Sequence, residues 1–561
     1  MFIIIKGLIK NALFDLISSL SKTGLKSGTI KLSPYFNQKG LQEYWKAYPN
    51  NDKKKMKVII YGLRTLATYH QAVFEKVFSD LFRFHGANVK NLVCGDILPS
   101  CDGATKDVPD WLTCFVCRKQ RKHHMKNFPN DFIYFNQFIN KKEIDEIWSQ
   151  VERLSGQELK NYEYMGIKVG RHAMDSVSYA FQFIFDKNNE SHIKKMRDSI
   201  YIGMITVRVA HNLFKIEKPT HVFTLHGCYA SWGPFMEYMS GHGVTVYVHR
   251  VLLTPGIGYF DFPKWSFDIN SIPSTEIWEQ KKHETLSEEH KKCINSFFMN
   301  RKSGTSPDYV IFYKQKRGKD DKFINYLNSN KKKFVLYMHS LWDVGFEEAT
   351  SDCFASHLDW LTETIEYFIG KENAYLFIKP HPAEYSMWEQ RRHGGEDVIS
   401  QLFKNLPNNI IIMKKDLPYT SYDLMDNGCI GITYYGTVGL EHSFFKKPIL
   451  VGGNIHYVEA GAAYKIKSKE EYFQLIDNPE PLVRFPFKNY DTIESYAYHY
   501  FFRPSIRTPF YRDDVWLGHC IDWDVMENYR EFIENDKTMN HIVCSILNNI
   551  DVANIESTAK T

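Results

Sequence analysis

The chain has 561 residues, 43% of them hydrophobic and 24% charged, which excludes a disordered protein and exceeds what one hydrophobic core usually organises, so two large lobes with additions are expected. Its 70 Lys and Arg exceed its 65 Asp and Glu by only 5 charges, and the basic clusters at 53–55, 118–126 and 331–333 come without a nucleic-acid motif, so no nucleic acid is expected as a partner. Those clusters fit solvated loops or a surface meeting anionic headgroups or an acidic polymer. Aromatics reach 15%, which suits a bulky core and carbohydrate-facing surfaces equally.

The N-terminal stretch MFIIIKGLIKNALFDLISSL places Phe2, Ile5, Ile9, Leu13, Leu16 and Leu20 at helical spacing, interrupted by Lys6, Lys10 and Asp15. It is too short and too interrupted to span a bilayer, and no small-residue cleavage site follows. An in-plane membrane helix and a helix packed on the domain share this periodicity. The expected location is the cytoplasm, with peripheral attachment to the inner membrane as an option. Ten cysteines without an export signal argue against a disulfide framework.

From Lys57 the chain reads KVIIYGL, then a helical stripe through Leu66, Tyr69, Val73, Val77 and Leu81, then VKNLVCGD. This is strand, helix, strand, the unit of a parallel sheet. Next comes CGDILPSCDGATKDVPDWLTCFVC, where Cys94, Cys101, Cys114 and Cys117 offer four thiolates within a short span. They could close a structural zinc site. The wide spacing of the first pair, and Cys94 at a strand end, fit buried free thiols as well.

The α/β pattern recurs with THVFTL, a helix around Phe235 to Met239, and VTVYVH. In the loop HGCYASWGPFMEY, His226 and Glu237 lie near a strand end and are candidates for a general base activating an acceptor hydroxyl. A satisfied loop histidine and a solvent-facing glutamate are their plain alternatives. Residues 265–330, rich in Lys, Glu, Ser and Asn, read as an irregular connection between lobes.

The second lobe opens with FVLYMH, and then alternates the strands YLFIKP, NIIIM, CIGIT and PILVG with helices. This calls for a doubly wound sheet, whose ligands bind outside the carboxyl ends of the strands. In FIKPHPAE, Pro380 and Pro382 fix the backbone on both sides of His381 at a strand end. Lys379 and His381 are thereby aimed and can each donate to an anionic oxygen; His381 could also pass a proton to a leaving phosphate. In CIGITYYGTVGLE, Gly436 and Gly439 would allow a ligand close to a first helical turn, Thr437 suits a cap or a phosphate contact, and Glu441 can accept from ribose hydroxyls. An ordinary turn and an ordinary capped strand-to-helix junction have the same spacing.

KPHPAE followed about fifty residues later by GTVGLE and KKPILVGG, with LWD at 341–343, HLDWL at 357–361 and YAYHYFFR at 496–503, resembles the second lobe of bacterial capsule and surface-polysaccharide biosynthesis proteins. That group is similar to the capsule 3-deoxy-manno-octulosonate (Kdo) transferases and, more distantly, to teichoic acid glycerophosphate polymerases. The likeness covers about 330–505 and is loose before it. It implies an α/β fold of the two-lobed GT-B type, with two Rossmann-like lobes about a cleft. It also implies a donor phosphate held by Lys379, His381, Gly436 and Thr437, a ribose on Glu441, and no metal needed for transfer. Asp343 and Glu384 are further candidate cleft residues, with an N-cap and a surface carboxylate as alternatives.

The expected organisation is a lead-in over 1–50, an acceptor lobe over 51–270, a connection over 271–330, a donor lobe over 331–490, and a tail over 491–561 that crosses back to the first lobe. The leading functional expectation is a glycosyltransferase moving a sugar from a nucleotide donor, CMP-linked by resemblance with UDP-linked left open, to a glycan or lipid-linked acceptor. The alternatives are a nucleotide-sugar 2-epimerase-like enzyme and a non-catalytic membrane-associated scaffold.

Overall fold

The computed structural model describes residues 56–62, 69–99, 114, 132–181, 186–225, 227–252, 258–266, 275–306, 320–339, 350–381, 394–414, 417–511, 521–522, 525 and 528–553. The N-terminal amphipathic stretch, His226, Asp343, Glu384, Cys101 and Cys117 lie outside them.

The first lobe runs β1 (Lys57–Tyr61), α1 (Tyr69–Phe84), β2 (Asn88–Val93), β3 (Phe132–Tyr134), α2 (Val169–Phe181), α3 (Glu190–Glu217), β4 (His221–Leu225), α4 (Gly233–Gly241), β5 (Thr245–Leu252) and β6 (Tyr259–Asp261). Period-two alternation in β1 sends Val58 and Ile60 to one face and Ile59 and Tyr61 to the other, and all four are buried. On the first face α1 lays down Val73, Phe74, Val77, Phe78, Leu81 and Phe82, one helical stripe. On the second, α3 and α4 supply Ile200, Met204, Val207, Phe235 and Met239.

A helical segment, α5 (Glu288–Ser303), precedes the second lobe. The lobe itself comprises β7 (Lys332–Tyr337), α6 (His357–Ile369), β8 (Ala374–Lys379), β9 (Ile410–Ile412), α7 (Ser421–Asp426), β10 (Ile430–Thr433), α8 (Val438–Phe444), β11 (Ile449–Val451), α9 (Glu480–Lys488) and α10 (Tyr490–Phe501). The chain then forms β12 (Ile506–Arg507), α11 (Tyr529–Asn535) and α12 (Lys537–Leu547).

The first sheet is ordered β12-β6-β5-β4-β1-β2-β3, with β1 to β5 parallel and β6 and β12 antiparallel at one edge. The second is ordered β11-β10-β7-β8-β9 and wholly parallel. Numbered within each lobe, both run 3-2-1-4-5, the order of a doubly wound Rossmann-like sheet, with a switch point between strands one and four. Two such lobes in one chain are the GT-B-like architecture expected from sequence.

One feature departs from the sequence expectation, and one, the return of the tail to the first lobe, follows it. The stretch 265–330, expected to be irregular, holds helices at Thr275–Lys281, Glu288–Ser303 and Asp321–Leu327. In α5, Ser287 caps the first turn by accepting from the His290 amide, and Gly304 ends the helix in a left-handed conformation. Phe298 packs at 4.2 Å from Phe444, and Phe297 at 4.7 Å from Phe501, so α5 is built onto the second lobe. After β12 pairs with β6, α11 and α12 bury Phe532, Ile533, Met539, Ile542, Val543 and Ile546 in the core beneath α1. The chain's last described helices therefore complete the first lobe.

Candidate functional site

A cavity of about 250 Å³ opens at the carboxyl ends of β7, β8 and β10, across the switch point of the second lobe. The Rossmann order forces this place, because the crossovers leave β7 and β10 in opposite directions and part there. Five residues singled out from sequence, Lys379, His381, Gly436, Thr437 and Glu441, line it together.

Lys379 ends β8 and is buried at 5% exposure. Its Nζ donates to the Tyr419 carbonyl at 3.1 Å, and an ammonium has three donors. Burial lowers its pKa to about 8, against a smaller raising pull from Asp423. His381, two residues on, is pushed down to about 4 by burial and by the Lys379 charge. Near neutral pH it is therefore a neutral imidazole that can donate one hydrogen bond but carries no extra proton.

On the neighbouring strand His339 follows β7 and accepts from the Tyr435 amide at its Nε2, at 3.0 Å, so its Nδ1 carries the proton. Burial, then His357 and His381, hold it well below the ordinary histidine range. Gly436 has φ of +134°, and a Cβ there would stand 2.7 Å from His339 Cε1. A glycine is required at this position by backbone and neighbour alike. Gly439 is different. A Cβ on it would meet the Tyr457 hydroxyl at 2.0 Å, and that hydroxyl donates to the Gly436 carbonyl at 2.9 Å. Gly439 thus admits Tyr457, not a ligand, which corrects the sequence reading.

Thr437 stands at the N-cap of α8 but makes no side-chain cap bond; its hydroxyl donates instead to Glu441 Oε1 at 3.3 Å. The Glu441 carboxylate is buried, accepts from the Tyr422 hydroxyl at 2.6 Å, and lies 3.5 Å from the Arg301 guanidinium of α5. The pocket floor is thus a carboxylate held by three donors from three elements, beside one buried ammonium that donates to a backbone carbonyl. Anionic ligands fit the second group and hydroxyl-bearing ligands the first.

No protein-family model matches the chain, and no curated protein does. Solved structures similar to it include a beta Kdo 2,7 transferase, KpsC, of Thermosulfurimonas dismutans, 15% identical over 47% of this chain and 74% of that one, with a TM-score of 0.30. A UDP-GlcNAc 2-epimerase of Methanocaldococcus jannaschii in complex with UDP-GlcNAc and UDP is 13% identical over 78% and 98%, at 0.26. The glycosyltransferase SnogD of Streptomyces nogalater is 9% identical over 78% and 95%, at 0.22. Superpositions this loose decide nothing about chemistry, and the two-lobed fold stands on the sheet order itself.

In the first lobe Glu237 lies on α4, one turn past the helix start, where its Oε2 meets His172 Nε2 of α2 at 2.8 Å and its Oε1 accepts from the Lys168 amide at 3.4 Å. It is therefore engaged with α2 rather than facing solvent freely. Of the four cysteines, only Cys94 and Cys114 are described, and among the described residues no His, Cys, Asp and Glu group has the arrangement of a metal site. Sequence reading missed Arg301, His339 and Tyr422. His339 closes the quoted strand FVLYMH, so its strand-end position was a usable signal. Arg301 had none, because the segment bearing it read as a connection.

Proposed function

We propose that this protein is a nucleotide-sugar-dependent glycosyltransferase of surface or capsular polysaccharide synthesis. The second-lobe pocket holds the donor phosphate, and a glycan or lipid-linked acceptor enters from the first lobe. The observation that carries this reading is Lys379, a buried ammonium at a strand end beside a switch-point pocket, with hydrogen-bonding capacity beyond the Tyr419 carbonyl.

In the proposed mechanism, Lys379 donates to the phosphate oxygens and neutralises charge that grows as the sugar departs, which favours the transition state over the bound donor. Neutral His381 adds one oriented hydrogen bond. Gly436 keeps a side chain out of the space beside His339, and Glu441, fixed by Tyr422, Thr437 and Arg301, accepts from ribose hydroxyls at the pocket floor. The Lys379 ammonium supplies the charge compensation that a metal ion otherwise gives, so transfer is expected to survive chelation. Glu237, steadied by His172, is the described candidate for the base on the acceptor side.

The test is incubation with CMP-, UDP- and CDP-linked sugars, with and without glycan acceptors, followed by product analysis. Sugar transfer that falls about tenfold in His381→Ala at unchanged Tm, as for one lost neutral hydrogen bond, is the expected result. An epimerised nucleotide sugar formed without acceptor would replace transfer by epimerisation. Absence of binding by every nucleotide would remove the enzyme reading.

A further inference from the structure

α9, EPLVRFPFK, turns Leu482 and Pro486 into the second lobe, and Phe485 packs edge-on against Tyr464 at 5.8 Å. Its other side is unlike an ordinary solvated helix face. Val483 and Phe487, one turn apart, are 38% and 62% exposed, and Phe487 is the most exposed Phe or Trp among the described residues. Arg484 and Lys488, also one turn apart, are exposed beside them. Lys446 completes the patch from the turn before β11. Its ammonium lies 6.0 Å from the Phe487 ring centre and 4.0 Å from that of Tyr490. The acidic groups near this face are Glu480, paired with Arg484 at 2.6 Å, Asp491, and the buried Glu494.

We propose that this face docks on an anionic lipid bilayer. Val483 and Phe487 enter the boundary between headgroups and acyl chains, while Arg484, Lys488 and Lys446 meet lipid phosphates. Two apolar side chains at i and i+4 with cations on their flank are the pattern that lies in a membrane interface, and the long basic side chains keep their charges at headgroup level. An acidic protein surface would satisfy the cations and leave the Phe487 ring without an apolar environment, so lipid is the occupant the chemistry favours. The placement also suits catalysis. Lys446 and Lys447 come immediately before β11, at the amino end of the parallel sheet, whereas the pocket lies at the carboxyl ends. Docking therefore leaves the pocket mouth clear. The inference does not depend on which reaction the pocket performs.

Flotation of the full-length protein with vesicles of phosphatidylcholine alone, or of phosphatidylcholine with phosphatidylglycerol, tests it. The wild type should bind the anionic vesicles, less as salt rises. V483D/F487D should bind about tenfold more weakly or worse, given the apolar area withdrawn, and R484E/K488E/K446E should lose both affinity and salt dependence. Phe487→Trp, which keeps an interfacial ring, should bind as the wild type does. If the aspartate variant has a lowered Tm, V483S/F487S takes its place. Failure of the wild type to bind, or wild-type binding by either the apolar or the charge variant, overturns the proposal; the latter would put the contact elsewhere, including the first twenty residues.

Discussion

Gly436 and Gly439 stand three residues apart in GTVGLE and look interchangeable in the sequence, yet they meet different constraints. Gly436 combines a left-handed φ with the His339 ring; Gly439 is filled from outside by Tyr457. Gly436→Ala should therefore lower stability by about 1–3 kcal/mol, seen as a fall in Tm, and should also crowd the pocket; an unchanged Tm would show that the turn relaxes freely. Lys379 gives a sharper expectation through pH. With its pKa lowered to about 8, the side chain is a cation below that value and is neutral above it. A bound phosphate stabilises the cation and raises its pKa, so nucleotide affinity should be level below about pH 7. It should then fall by up to about tenfold per pH unit above 8. Calorimetric titrations from pH 6.5 to 9.5 check this, and a level profile would take Lys379 out of the phosphate contact. The strand-end lysine and histidine were legible because a prolyl pair at the end of an apolar run has few conformations. Their electrostatic state was not, since burial depends on chain segments distant in sequence.

The element that sequence reading misjudged most is α5. Its mixture of Lys, Glu, Ser and Asn hides a Ser cap, a Gly terminus and the adjacent pair Phe297 and Phe298. Those two rings fix it on α8 and α10, and the fixed helix carries Arg301 to Glu441. Phe298→Ala should cost about 3–5 kcal/mol in urea unfolding and weaken nucleotide binding as well, because Arg301 loses its mount. Loss of stability without any loss of affinity would separate α5 from the pocket. The strands that were read correctly, β1, β2, β4, β5 and β7 to β11, are apolar runs bounded by turn residues. The short pieces β3, β6 and β12, of two or three residues each, were not seen; β9 and β11 are as short but sit in longer apolar runs.

At the scale of the molecule, both lobes repeat one strand order, and the chain passes between them twice, once through α5 and once from α10 into β12. The second passage makes the first lobe depend on the C-terminal helices. There Tyr529 donates to Asp80 Oδ2 at 2.7 Å, and Asp80 also contacts Lys76, all beside the apolar contacts of α11 and α12. A chain ending at residue 522 should uncover Phe510, whose ring meets Phe532 at 6.0 Å, together with the α1 side of that core, and lose the first lobe's cooperative unfolding transition. Retention of that transition in calorimetry would show that the lobe closes without them. The repeated β and helix pattern made the two-lobed architecture legible, and the return of the tail was expected with it, whereas the share of the first lobe's core that the tail supplies is a matter of tertiary packing that periodicity does not record.

The central claim is that the switch-point pocket of the second lobe binds a nucleotide phosphate through Lys379. Isothermal titration of the wild type and of Lys379→Met with CMP, UDP and CDP at pH 7 tests it most directly. At least one nucleotide should bind the wild type, and its affinity should fall about 10- to 100-fold in the variant, as expected for a lost charged hydrogen bond, with Tm preserved or raised by removal of a buried charge. Equal affinity in the two proteins would contradict the account.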